Sequence, residues 1–174
     1  MAPEKPSRRL FLQVAALTGL NLIISGVIPR RSQAAFRVGD VPPAVTLSDL
    51  RGNSVVIPSG FKGKIALIHF WASWCPTCRG EMATLESIYR RYGLKGVIPC
   101  SIGIGEKRET AISYLNNMSI SYPVLLDPTS STVKRFGVSG VPTCYVLDRE
   151  NVIRQRILGE ADKEGLDKTI RTLL

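Results

Sequence analysis

Ile65-Ala66-Leu67-Ile68-His69-Phe70-Trp71-Ala72-Ser73-Trp74-Cys75-Pro76-Thr77-Cys78 is the stretch that decides the fold of this chain. Its first six residues form a nearly continuous apolar run, the pattern of a strand buried on both faces. A tryptophan-flanked corner follows, then two cysteines spaced C-x-x-C. Pro76 suits the first turn of a helix. Met82, Leu85, Ile88 and Tyr89 then recur at helical spacing up to Tyr92, and Gly93 stops the helix. The order is therefore buried strand, corner, cysteine pair, helix. This places Cys75 at a helix N-terminus, where free N–H groups and the helix dipole favour a thiolate. Cys75 is expected to attack. Cys78, one turn on and less exposed, is expected to resolve the mixed disulfide. Pro76 removes one N–H donor and stiffens the loop.

Spacing alone leaves redox chemistry and metal binding open. Zinc needs four ligands. The other cysteines, Cys100 and Cys144, stand isolated in apolar runs, and the single histidine, His69, lies inside another. Neither a metal nor a cofactor is expected on this inventory. A metal-binding carrier is the reading kept from another class, and a purely structural disulfide is the third. The flanking Trp71 and Trp74 and the strand-to-helix corner argue against the structural bridge, because they present the pair at a surface edge.

Outward from this centre, strands are predicted at Val45–Leu47, Val55–Ile57, Val97–Ile104, Pro123–Leu126, Thr143–Leu147 and Val152–Leu158. Helices are predicted from Glu106 to about Met118 with Ile112 and Leu115 on one face, around Val133 and Phe136 up to Gly137, and from Asp162 to Leu174. Alternation of strands and helices, closed by a terminal hairpin, predicts an α/β fold: a mixed central sheet flanked by helices on both faces.

The chain has 174 residues and a formal net charge of +9. Part of that charge is local: Lys5, Arg8, Arg9, Arg30 and Arg31 face only Glu4 within residues 1–34. Elsewhere the basic residues are scattered, with no Lys/Arg run interleaved with aromatics, so no nucleic-acid partner is expected. Ser7-Arg8-Arg9-Leu10-Phe11-Leu12-Gln13 resembles a twin-arginine export signal. A moderately apolar stretch follows to Ile28, and Ser32-Gln33-Ala34 fits a small-residue cleavage pattern. Residues 1–34 are thus expected to be a signal peptide, and 35–174 the domain. If the signal stays uncleaved, residues 10–28 anchor the chain in a membrane; no other membrane contact is expected. The implied location is periplasmic or otherwise extracytoplasmic, where disulfides form and are managed.

Phe70 to Cys78 closely resembles the active-site signature of the thioredoxin superfamily, within it the exported TlpA, ResA and DsbE branch. The resemblance spans nearly the whole domain. It takes in Cys78-Arg79-Gly80-Glu81 and the loop Gly137-Val138-Ser139-Gly140-Val141-Pro142-Thr143. It implies a thioredoxin fold with an N-terminal β-hairpin and a helix–strand insertion over Glu106–Asp127. It also implies a redox-active disulfide between Cys75 and Cys78, and a glutamate, Glu81, that tunes or relays a proton for Cys78. Pro142 is implied to be cis, which places the Val141 backbone where a substrate strand can pair with it. Trp74, Pro76 and Thr143 are expected to line the substrate groove beside Val141 and Pro142.

His69 occupies the position where plain thioredoxin keeps a buried acid, and is read as a hydrogen-bonded core histidine rather than a charged group. In the thioredoxin sheet the strands of Cys100 and Cys144 flank the His69 strand. Two strand spacings total about 10 Å, beyond the roughly 7 Å that a disulfide spans, so both are read as buried thiols.

The activity so implied is reduction of disulfides in exported proteins, with electrons from a membrane thiol transporter. Pro76-Thr77 resembles cytochrome c maturation members, which points to the haem-site cysteines of apocytochrome c. Those members commonly carry an acidic residue where this chain has Thr143. A disulfide-forming oxidase uses the same residues in reverse, and sequence does not set the direction.

Overall fold

A computed structural model describes residues 36–174. The expected signal segment, residues 1–34, lies outside the described residues. Among the described residues no helix is long and apolar enough to cross a membrane.

The run from Ile65 to Trp71 forms β3, and all seven of its residues are buried. Its alternating side chains feed two cores. Ile65, Leu67 and Trp71 join one, and Ala66, Ile68 and Phe70 the other. Burial on both faces explains why its sequence does not alternate.

The remaining strands are β1 (Val45–Asp49), β2 (Ser54–Ile57), β4 (Val97–Ile104), β5 (Val124–Asp127), β6 (Thr143–Leu147) and β7 (Ile153–Leu158). They form one mixed sheet in the order β2-β1-β5-β4-β3-β6-β7. β4 runs parallel to β3 and β5 parallel to β4, whereas β6 is antiparallel to β3 and closes a hairpin with β7. β1 and β2 form the expected N-terminal hairpin, and β1 reaches the sheet through β5.

The helices are α1 (Cys78–Tyr92), α2 (Arg108–Leu115), α3 (Ser131–Phe136) and α4 (Lys163–Leu173). Met82, Leu85 and Ile88 of α1 and Leu166 and Ile170 of α4 pack on one face of the sheet. Phe136 of α3 covers the other, its ring 5.3 Å from that of Phe70. This is the thioredoxin fold, including the α2–β5 insertion.

Asp162 caps the N-terminus of α4, its carboxylate accepting the N–H groups of Glu164 and Gly165. An Asp162→Ala substitution removes this cap and is expected to lower stability by about 1 kcal/mol, measurable by urea unfolding.

Two expectations need correction. α2 is shorter than Glu106–Met118. Lys107 is extended and caps the helix, Asn116 is extended at its end, and Asn117 follows at φ 68°. α2 also buries Ala111, while Ile112 remains half exposed. Second, α1 begins at Cys78, so Cys75 and Pro76 precede the helix instead of opening it.

Cys100 and Cys144 are free and buried, one on each strand beside β3. They also enter opposite cores, Cys100 with Phe70 and Cys144 with Trp71, a further reason that they do not pair.

Candidate active site

β3 delivers the chain to the cysteines. Trp71 pairs with Gly103, and Phe70 with Thr143, so the Pro142 loop lies beside the end of β3 where the cysteine corner starts. Cys75 and Cys78 are disulfide-bonded with their Cα atoms 5.5 Å apart. Cys75 is 4% exposed and Cys78 fully buried, while neighbouring Trp74 is 74% exposed. The order of accessibility follows the sequence expectation.

The corner is held by a residue that sequence reading overlooked. The Ser73 N–H donates to Oε1 of the buried Glu106 at 2.6 Å. Glu106 comes this close because Gly103 lacks a side chain: a Cβ there would stand 3.2 Å from both Glu106 and the Trp71 ring. The signal available in the sequence was a glycine inside a strand, which often marks a close approach. Trp71 is buried and stacked on Tyr114 at 4.8 Å, and the Arg79 guanidinium lies 4.7 Å from the centre of the same tyrosine ring.

Glu81 follows Cys78 by three residues on α1, which places both on one face of the helix. It is not the exposed helix residue that its polarity alone suggests: it is buried, and neither carboxylate oxygen has a hydrogen-bond partner. Burial, aided by the charge of Glu160, pushes its pKa up to about 7. His69 Nε2 lies 3.8 Å from Glu81 Oε2, and its Nδ1 lies 3.0 Å from Ser101 Oγ. Burial lowers the His69 pKa to about 3, so the ring is neutral. The thiol of Cys144 is pushed up by burial and by the charge of Glu81.

The Val141–Pro142 bond is cis. Ser139, Gly140, Val141, Pro142, Leu158 and Gly159 line a cleft of about 150 Å³ together with Thr143. The Thr143 side chain is buried and donates its hydroxyl to the Gly140 carbonyl at 2.6 Å. It therefore braces the loop from inside while Thr143 still contributes to the lining of the cleft.

A model of the Redoxin family matches residues 37–174. The chain belongs to the Redoxin family. It is 25% identical over 172 residues to the thiol-disulfide oxidoreductase ResA of Geobacillus kaustophilus, covering 97% of this chain and 98% of that protein. A ResA of Bacillus thuringiensis is 28% identical over 138 residues, 79% of each chain. Among solved structures, one described as the thiol:disulfide interchange protein DsbE of Chlorobium tepidum superposes with a TM-score of 0.76 at 28% identity. It covers 80% of this chain and 99% of that one. With its C-x-x-C pair bridged at the strand-to-helix corner, this Redoxin chain is a ResA/DsbE-like thiol–disulfide oxidoreductase of the thioredoxin superfamily.

Proposed function

We propose that this enzyme works outside the cytoplasm as a reductase of disulfides in exported proteins. The single observation that carries the exchange chemistry of this reading is Glu81, a carboxyl buried one turn behind Cys78 and held near neutral pKa. Exchange at Cys78 needs a proton acceptor there when the dithiol is oxidised and a donor when it is re-formed, and such a group works best when its pKa lies near the working pH.

The Cys75 thiolate attacks one sulfur of the client disulfide. The client's S–S bond breaks, its other sulfur leaves as a thiolate and takes a proton from solvent, and a mixed disulfide forms. Cys78 then gives its thiol proton to the Glu81 carboxylate. Its thiolate attacks the Cys75 sulfur, and the second client sulfur leaves as a thiolate and is protonated in turn. Two electrons pass from the dithiol to the client, leaving Cys75–Cys78 oxidised and Glu81 protonated. Electrons return from a membrane thiol transporter, the partner such a cycle requires outside the cytoplasm.

Exposed Trp74 and Pro76 and the Val141–Pro142 loop form the client-binding edge. The backbone of Val141 takes part in no backbone hydrogen bond among the described residues, which suits pairing with an extended client segment. Export rests on the Arg8-Arg9 motif, and apocytochrome c is the client class to which Pro76-Thr77 points.

The reduction potential of the Cys75–Cys78 couple tests the direction. A reductase is expected well below about −180 mV, the region of isomerases. A value near or above about −120 mV, where strong oxidants lie, overturns the reading in favour of an oxidase.

A further inference from the structure

A buried polar chain runs behind the disulfide, and the cycle above gives it no role. His69 on β3 meets Ser101 on β4, with 3.0 Å from Nδ1 to Oγ. Ser101 Oγ lies 3.2 Å from the hydroxyl of Tyr122, which lies 3.3 Å from the Met82 carbonyl of α1. All three side chains are buried.

With all three contacts formed as hydrogen bonds, the far end of this chain sets the direction of every hydrogen in it. A carbonyl only accepts, so the one hydroxyl hydrogen of Tyr122 goes to Met82. Ser101 then donates its one hydrogen to Tyr122. With that hydrogen used, Ser101 Oγ accepts at its other contact, so His69 donates from Nδ1. The neutral ring therefore carries its proton on Nδ1 and leaves Nε2 a bare acceptor. That acceptor faces Glu81 Oε2 at 3.8 Å, and neither group has another partner. Closing about 1 Å makes this contact a hydrogen bond.

We propose that His69 is a positioning residue whose Nε2, fixed as an acceptor by the Ser101–Tyr122–Met82 chain, holds Glu81 in its protonated form. The proposal rests on Glu81 serving as the base of Cys78. The proton that leaves the Cys78 thiol forms a Glu81 O–H, and that O–H donates to His69 Nε2. When a dithiol of the upstream partner reopens Cys75–Cys78, two electrons enter and the proton returns to the Cys78 sulfur. An acceptor at Nε2 favours the protonated carboxyl, whereas an N–H there would favour the carboxylate. The other titratable groups facing Glu81 are Cys144 on β6, Cys78 on its own helix and Glu160 ahead of α4. Of the contacts described here, only the one with His69 depends on a tautomer.

His69 is the only histidine in the chain, so ¹⁵N NMR of tag-free protein reads its tautomer without assignment. The oxidised form is used, because its active-site cysteines do not titrate. The expected spectrum has a protonated Nδ1 and an unprotonated Nε2. Ser101→Ala and Tyr122→Phe each break the chain. Both are expected to move the proton to Nε2 and to lower the proton affinity of Glu81 about tenfold, followed by ¹³C-carboxyl titration. A protonated Nε2 in the unsubstituted protein overturns the proposal, as does an unchanged Glu81 affinity in both variants. The underlying base role fails separately: an unchanged rate of the Cys78 step in Glu81→Gln removes it, whatever the tautomer, and the proposal with it.

Discussion

A Cys75→Ser variant is expected to lose disulfide-reducing turnover by about three orders of magnitude or more, whereas Cys78→Ser should stall after one step and accumulate mixed disulfides with its clients. The asymmetry follows from position. Cys75 lies beside exposed Trp74 and Pro76 and directly ahead of α1, where the first-turn N–H groups have no partner within the helix. Those groups and the helix dipole stabilise a thiolate at that end. Cys78 is fully enclosed and reaches only a sulfur that Cys75 has already brought to it. Without Cys75 no first bond forms. Without Cys78 the mixed disulfide forms and nothing intramolecular releases it. Non-reducing electrophoresis of the two variants with a disulfide-containing client reads the difference. Equal trapping by both would reverse the assignment of roles.

Much of this arrangement was legible in the sequence, for local reasons. The nearly continuous apolar run Ile65–Phe70 permits little except a central strand, and a C-x-x-C after it with helical spacing beyond fixes the corner. The strand–helix alternation led to the sheet, and the resemblance supplied its order. What stayed hidden was set by tertiary contacts. Glu106 reads as the start of a helix because acidic residues favour first turns. In the fold its carboxylate is drawn to Ser73, and the helix begins two residues later. Thr143 reads as groove-lining because it adjoins Pro142, and only the folded loop shows that its hydroxyl also bonds the Gly140 carbonyl. The Ser101–Tyr122 link joins residues far apart in the chain, so no local pattern reveals it. Glu81 was identified by resemblance. Its burial, from which its chemistry follows, belongs to the packed structure.

Between about pH 4.5 and 6.5, His69 and Glu81 should drive stability in opposite directions and largely cancel. The folded-state pKa of Glu81 is raised from 4.5 to about 7. Its protonated form is therefore favoured by folding, and its contribution is full below pH 4.5 and lost as the pH rises to 7. For His69 the folded-state value falls from 6.5 to about 3, so its contribution is full above pH 6.5 and lost as the pH falls. Removing one partner exposes the other. Glu81→Gln should gain stability with rising pH across the window, and His69→Leu should lose it, each with a slope on the order of 1 kcal/mol per pH unit. Asp49, Asp127, Asp148 and Asp167 have pKa values lowered from 3.8, so their losses fall below the window. Urea unfolding of the oxidised variants at several pH values measures both slopes. Slopes of the same sign would show that the two buried groups do not titrate as their burial requires. Opposite slopes would mean that this enzyme keeps an acid and a base side by side in its core, each uncharged at the pH where the other is costly to charge.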